Sequence, residues 1–402
     1  MAVIEQINPR LLVWARETAG LTVDEAAEKL GLTSSSRSTS VEKLAALETG
    51  ERAPTAQQLL RAAATYRRPL VAFYLPEPPG RGERGEDFRV VQGTVSEREN
   101  GILDALLRDL KARQQLLRGM LSDDEEARPL AFVGASRVGQ GSFKIAAAIR
   151  VVLEVTEEEQ RAAKGAAALF ALLRTACEKA GIYVLLLGDV GSHHSDIGEN
   201  VFRGIALADE IAPFIVINDN DTPAARSFTL IHELAHIWIG ASGVSGPLQA
   251  MSANAIERFC NDVAGEFLLP SASLDRPPQL DGEFESILRV ADRVAENWNI
   301  SPALVTYTFA SKGWIEPDTA SRLFGLLAAR WKRERQQDRE ATRDATGPSY
   351  YVVRRHRLGA ALIDAVRRGL QGEIITHTKA AKILGVSPTN VAPLLRERAR
   401  AI

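Results

Sequence analysis

The chain has 402 residues, 45% of them hydrophobic and 25% charged, which is the composition of a globular protein long enough for two or three domains. A formal net charge of −2 argues against a uniformly basic nucleic-acid coat protein, so any DNA-binding surface must be local. The N-terminus lacks a signal pattern and the apolar runs are too short to cross a bilayer, so we expect a cytoplasmic protein with no membrane partner.

Residues 1–78 are predicted to form a bundle of short helices. The stretches "NPRLLVWARETAG" and "TVDEAAEKLG" have apolar residues at helical spacing, begin at a capping residue and end at glycine. Thr22 and Glu25 form a capping-box pattern. A serine-rich loop, "TSSSRSTS", separates these stretches from "VEKLAALETG" and "TAQQLLRAAATYRR". Short helices joined by a glycine turn are typical of a helix-turn-helix domain.

Residues 79–130 are predicted to connect this domain to the next. The stretch "PEPPGRGERGEDFR" is rich in proline, glycine and charge, as linkers are, and a long helix should follow at roughly 97–122.

Two further helices are predicted at about 142–154 and 157–180. The short β-branched runs "GIYVLLLG", "NVFRGIALAD" and "PFIVIND" indicate strands.

The stretch "TLIHELAHIWIG" predicts a metal site. Asp221 or Thr222 can cap a helix whose first turn contains Pro223 and which should stop at Gly240. His232 and His236 lie four apart, so a helix presents both imidazoles on one face to a single ion. Glu233 lies one position round the helix, where it can accept a proton from water activated by zinc.

A catalytic zinc site needs a third protein ligand. The next predicted helix, "ANAIERFCNDVAGEFLL", ends at Pro270 and offers Glu257, Asp262 and Glu266. Glu257 is favoured because Glu266 falls near the helix end. The expected cofactor is one Zn²⁺ per chain, although Mn²⁺ or Fe²⁺ also suits two histidines and a carboxylate.

The predicted fold class is mainly α with a small β-sheet, α+β. A zincin-like peptidase domain is expected over 131–337, and 338–402 should form a helical cap. The cap begins within the charged connector "WKRERQQDREATRDATGP" and includes "THTKAAKILGVSPTNVAPLL", which is a second helix-turn-helix-like pattern without an assigned role.

These motifs together resemble the ImmA/IrrE-like zinc metallopeptidases that carry an N-terminal XRE/Cro-type helix-turn-helix domain. The blocks "ARSFTLIHELAHIWIG" and "ERFCNDVAGEFLLP" carry the resemblance most specifically. It implies that His232, His236 and Glu257 are zinc ligands and that Glu233 is the general base. Cys260 stands where this family usually has alanine; a small buried thiol is the favoured interpretation over a redox-sensitive ligand.

The resemblance also implies a function. Relatives typically inactivate an XRE-type repressor and so release stress-response or mobile-element genes, which makes a zinc-dependent endopeptidase that controls transcription the expected function here. The strand residues Phe202, Arg203 and Gly204 are candidates to pair with an extended substrate, or belong to an ordinary sheet strand. His193 and His194 are candidates for oxyanion stabilisation, or are solvent-exposed loop residues.

The alternative function is a non-catalytic DNA-binding regulator, or an antitoxin-like partner, in which the peptidase fold is a sensor or scaffold. The third N-terminal helix would present Glu42, Lys43 and Glu48, a surface poor in positive charge. DNA binding and pairing with another XRE protein therefore both stay open. The candidate DNA contacts are Arg37, Ser38, Thr39 and Lys43.

Overall fold

The computed structural model describes residues 7–79, 86–87, 96–125, 127–189, 197–199, 201–246, 254–275, 280, 283–341 and 348–396. The chain divides into two compact units. Unit 1 comprises residues up to 84 together with 91–110 and 189–197, and unit 2 comprises 85–90, 111–188 and 198–402.

Unit 1 is helical. Its helices are α1 (Pro9–Thr18), α2 (Val23–Lys29), α3 (Ser40–Thr49) and α4 (Ala56–Thr65), followed by a 3₁₀ helix at Leu70–Tyr74. Thr22, Thr39 and Thr55 each cap a helix through a reciprocal capping box, which satisfies backbone N–H groups that the first helical turn leaves free. A core that includes Leu11, Leu44 and Phe73 holds the helices together.

The long helix α5 (Glu97–Asp123) is divided between the two units. In unit 2 it is followed by α6 (Ser142–Leu153), α7 (Glu157–Ala162) and α8 (Ala166–Lys179). The prediction of one helix over 157–180 is wrong, because the chain breaks between α7 and α8. Gly165 precedes α8 with a φ of 92°, a conformation that side chains with a Cβ rarely adopt.

Among the described residues, unit 2 contains a five-stranded mixed sheet in the order β1-β5-β3-β4-β2. The strands are β1 (Glu86–Asp87), β2 (Tyr183–Leu186), β3 (Gly204–Leu207), β4 (Phe214–Ile217) and β5 (Gly243–Ser245). Strand β3 is antiparallel to both β4 and β5. Strand β2 runs parallel to β4, and β1 runs parallel to β5. The predicted α+β class is confirmed.

Helix α9 (Pro223–Trp238) packs on this sheet and against α10 (Ala255–Leu268). Thr222 is its N-cap and accepts a hydrogen bond from the Ala225 N–H, as the capping pattern predicts. Twelve consecutive residues, Ser227–Trp238, are buried, because α9 is covered by the sheet, α8 and α10. The helix therefore holds its side chains inside the protein.

Helices α11 (Phe284–Trp298), α12 (Pro302–Ser311) and α13 (Pro317–Ala341) complete this part of the fold. Helix α13 runs into the stretch predicted as a charged connector, so the expected domain boundary at 337/338 lies inside a helix. No helix of the described chain is both long enough and apolar enough to cross a bilayer.

The C-terminal helices are α14 (Tyr350–Leu358), α15 (Ala360–Gln371), α16 (His377–Leu384) and α17 (Pro388–Arg396). Helices α14 and α15 pack against β2. Buried Arg174 of α8 donates hydrogen bonds to the carbonyls of His356 and Val184 and pairs with Glu178. Glu178 in turn accepts from the backbone N–H groups of Ala360 and Ala361. The C-terminal helices are thus joined to the sheet by a buried ion pair.

Candidate metal centre and active site

Two histidines of α9 point at one position. His232 and His236 lie one helical turn apart, are 3% and 0% exposed, and have their Nε2 atoms 3.2 Å from each other. Two imidazole nitrogens at this separation can form one hydrogen bond only if their tautomers differ. A shared cation satisfies both lone pairs at once, so the convergence itself favours a metal.

Helix α10 supplies the third group. Asn254 caps this helix, and Glu257 in its first turn is directed toward α9. One oxygen of the Glu257 carboxylate lies 3.0 Å from His236 Nε2, and the other lies 3.5 Å from His232 Nε2. The two nitrogens and the carboxylate therefore meet at a single buried point between two packed helices.

The geometry fits a metal ion. Ligand atoms of these three residues all lie within 4.8 Å of one another. A tetrahedral zinc ion with bonds of about 2.0–2.1 Å holds its ligand atoms roughly 3.3 Å apart, close to the separations observed here. The other carboxylates of α10 are engaged elsewhere: Asp262 accepts from the Tyr307 hydroxyl and Glu266 accepts from Ser271. Two nitrogens and a carboxylate suit zinc, and equally manganese or iron.

Glu257 and His236 have the protonation that a cation requires, whereas at His232 burial is outweighed by Glu257, which raises the pKa, so a bound cation would have to replace the His232 proton. Burial alone raises the pKa of Glu257, but the charge of His232 and the hydrogen bonds of both histidines outweigh it and lower the pKa to about 2. Burial lowers the pKa of His236, which favours the neutral imidazole that a metal requires. The negative charge of Glu257 therefore persists across the physiological pH range.

Glu233 stands beside this cluster but outside it. Its side chain is fully buried, and the metal-ligating group contains only His232, His236 and Glu257. Burial raises the pKa of Glu233 to about 8, partly offset by the charge of His232. Within the described chain, no hydrogen bond of normal geometry reaches either of its carboxylate oxygens, although the Ser245 hydroxyl is close enough to lower the pKa. A buried carboxylate without a hydrogen-bond partner from the protein requires an explanation, and a reactive role would supply one.

Strand β3 makes room for Glu233. A Cβ atom on Gly204 would lie 2.1 Å from Oε1 of Glu233 and 2.6 Å from its carboxyl carbon. The α9 backbone is held by the sheet, α8 and α10, so a side chain at position 204 would have to displace the Glu233 carboxylate itself. The backbone of β3 therefore forms one wall around the carboxylate.

An open cleft reaches the cluster from solvent. The cleft is small, and its wall includes Arg203, Phe228, Thr229, Ser245, Gly246 and Asn261. The Ser245 hydroxyl lies 3.2 Å from His232 Nε2, and Asn261 is close enough to His232 to raise its pKa. The sequence gives no indication of a role for Ser245, because a three-residue strand has no detectable pattern. Asn261 could have been identified as a site residue from its position one helical turn after Glu257.

The predicted substrate strand needs a correction. Strand β3 is paired on both sides, with β4 and with β5, so it cannot receive a substrate by edge pairing. Phe202 is buried, and its carbonyl accepts from the Asn218 amide. Arg203 instead faces the cleft, with its Nε 3.5 Å from a carboxylate oxygen of Asp221.

The remaining candidates lie away from the cluster. Cys260 is fully buried, burial raises the pKa of its thiol well above the usual range, and it is not a member of the metal-ligating group. These features agree with a packing role. His193 and His194 lie outside the described residues.

The four candidate DNA contacts lie in unit 1. Arg37 is exposed in the loop before α3, and the Ser38 carbonyl accepts from the Ser35 N–H. Thr39 caps α3, and the Lys43 amine donates to the Thr33 carbonyl. The Ser38 hydroxyl lies 3.5 Å from that of Ser35, so three of the four side chains have local structural partners, and DNA binding stays a prediction.

Residues 177–309 match the family model described as the IrrE N-terminal-like domain, Peptidase_M78. The matched segment runs from α8 to α12 and includes His232, Glu233, His236 and Glu257. No curated protein and no solved structure matches the chain significantly. The match supports a peptidase in this segment.

Proposed function

We propose that the chain is a zinc-dependent endopeptidase of the ImmA/IrrE type that hydrolyses a peptide bond in a protein regulator. The observation that carries the proposal is the position of Glu233, which is buried beside the His232, His236 and Glu257 cluster without joining it. A purely structural or sensory metal site has no need of such a carboxylate. The match of residues 177–309 to a peptidase domain supports the same conclusion.

Each residue has a distinct role in this proposal. His232, His236 and Glu257 hold the cation, which when bound would polarise the substrate carbonyl and lower the pKa of water. Glu233 takes the proton from the attacking water and passes it to the leaving amine, a role that requires the bound cation to lower its pKa from about 8. Gly204 fixes where the Glu233 carboxylate can lie, since any larger residue would collide with it.

We further propose that the substrate is an XRE-type repressor, and that the helices of unit 1 direct the enzyme to it or to DNA. The resemblance of the N-terminal helices to XRE domains motivates this part of the proposal. Cleavage of such a repressor would release the genes that it controls. The alternative function, a non-catalytic regulator, gives no explanation for a glutamate buried beside the metal ligands at position 233.

The test compares wild type with Glu233→Gln, both loaded with zinc, on a proteome-derived peptide library read by mass spectrometry. Because Glu233 is not a ligand, the variant should keep about one zinc per chain. Cleavage should fall by about 10²–10⁴-fold, the usual contribution of a general base. An XRE-type repressor from the same genome would then be tested as substrate.

Two results would contradict the proposal. One is zinc-loaded wild type that cuts no peptide beyond the level of Glu233→Gln. The other is a Glu233→Gln protein that keeps its full biological effect. Either result would favour the non-catalytic regulator and direct the next measurements to DNA and partner binding.

A further inference from the structure

Helix α6 exposes an apolar face that its own unit leaves uncovered. Its other face, with Ile145, Ala146 and Ile149, packs against α8 and α10. On the exposed side, Phe143 and Val151 are 64% and 77% exposed. They lie eight residues apart, on the same side of the helix as Ala147 between them. Exposure of large apolar side chains at both ends of one helical face is unusual for a surface that meets only water.

The exposed face has small residues at its centre. Ala147 is exposed at the centre of the face, between Phe143 and Val151, and exposed Ala148 borders it. Small central residues allow a second helix to approach closely, while the larger residues on either side pack around it. The shape therefore suits another helix that crosses near Ala147.

The two ends of the face carry opposite charge. Arg137 and Lys144 are exposed at the N-terminal end, whereas Glu154 and Glu158 are exposed at the C-terminal end. No salt bridge is recorded for any of these four in the described part of the chain. A partner helix should therefore be basic where α6 is acidic, and acidic where α6 is basic.

A second copy of α6 in antiparallel orientation meets these requirements. With a twofold axis at Ala147, Phe143 of one copy lies level with Val151 of the other. Lys144 and the second copy's Glu154 are then offset by about 6 Å along the helix axis, within reach of two long side chains. A contact between identical faces is the usual arrangement of homodimers.

We infer that the protein forms a homodimer through the exposed face of α6, with the two helices antiparallel. A single helix and its flanking loop from each subunit make a small interface, so we expect a dissociation constant on the order of 10 μM. This inference does not depend on peptidase activity, and it holds for a catalytic or a non-catalytic protein.

The first test is sedimentation equilibrium of the full chain over a range of concentrations. Wild type should change from monomer to dimer in the micromolar range. Ala147→Glu places two like charges at the twofold axis and should raise the dissociation constant at least about 30-fold. Val352→Glu on α14 is the control, because it likewise introduces an acid at an exposed apolar residue of a helix. It should leave the dissociation constant unchanged.

The second test addresses the orientation. Lys144→Glu and Glu154→Lys should each weaken self-association about 10-fold, because each places like charges opposite one another. An equimolar mixture of the two variants should associate as tightly as wild type, since the mixed dimer keeps one ion pair as in wild type and has the other with reversed sign. Circular dichroism of every variant establishes that the fold is retained.

Three outcomes would overturn the inference. A wild-type protein that stays monomeric at 100 μM, about ten times the expected dissociation constant, has no such interface. A dimer that persists undiminished in Ala147→Glu uses another surface. A mixture of Lys144→Glu and Glu154→Lys that associates no better than either variant alone excludes the antiparallel arrangement.

Discussion

Helix α3 and the pair α9 and α10 both carry charged residues that invite a functional interpretation, but the structure treats them differently. In α3, Glu42 completes a capping box, the Lys43 amine binds the Thr33 carbonyl, and Glu48 pairs with Arg16. In α9 and α10, three ligands converge and Glu233 is buried next to them. Charged residues paired with local partners stabilise a fold, whereas buried polar groups that converge on one point indicate chemistry.

The largest expected effect comes from removing a ligand. His236→Ala or Glu257→Ala should weaken zinc binding by more than about 100-fold, because even residues that only orient a ligand contribute 10–100-fold. Elemental analysis after dialysis against a chelator measures the loss. The control is Glu266→Ala, which removes a carboxylate of the same helix that binds Ser271 instead. Equal zinc in all three variants would place the metal elsewhere.

Gly204→Ala tests whether β3 positions Glu233. The added methyl group would overlap the carboxylate, so we expect a loss of about 1–3 kcal/mol in the free energy of unfolding. If peptidase activity is established, displacement of Glu233 by about 1 Å should reduce it about 100-fold while zinc content is kept. Gly119→Ala in α5 is the control, since nothing lies within 4 Å of the added methyl there. Equal free energies of unfolding for Gly204→Ala and Gly119→Ala would show that β3 or Glu233 shifts at little cost.

The smallest effect is expected in unit 1. Glu48→Gln breaks a pair in which Arg16 and Glu48 are only 12% and 10% exposed, so it should cost about 1–2 kcal/mol of unfolding free energy. Urea denaturation measures the change, and Glu51→Gln, an exposed acid two residues past α3, should cost almost nothing. If Glu48→Gln instead left stability intact and altered DNA binding, Glu48 would belong to a nucleic-acid surface.

The sequence identifies the candidate metal ligands, which the structure brings together, because the signals for them are local. Thr222 and Pro223 mark the start of α9, and the four-residue spacing of His232 and His236 fixes their common face. Glu257 was identified among three carboxylates of α10, and the structure brings it to both histidines. Local backbone geometry decides all of these features.

What the sequence did not predict depends on contacts between distant segments. Strand β5 has three residues, too few for a periodic pattern, and it exists because β3 lies beside it. Strand β3 was identified, but its two neighbours, and so its lack of a free edge, were not. The collision that requires glycine at position 204 involves a side chain 29 residues away, on another element. The charge-rich end of α13 looked like a connector, yet Arg330 pairs with Asp292 of α11 and the helix continues.

The bond network around Arg174 has a consequence for how the protein unfolds. Arg174 binds carbonyls of both β2 and α14, and Glu178 binds the first N–H groups of α15. Detaching the C-terminal helices would leave a buried guanidinium and a buried carboxylate without most of their partners, which costs several kcal/mol. The backbone amides of β2, α14 and α15 should therefore exchange with deuterium at a similar rate, as one cooperative block.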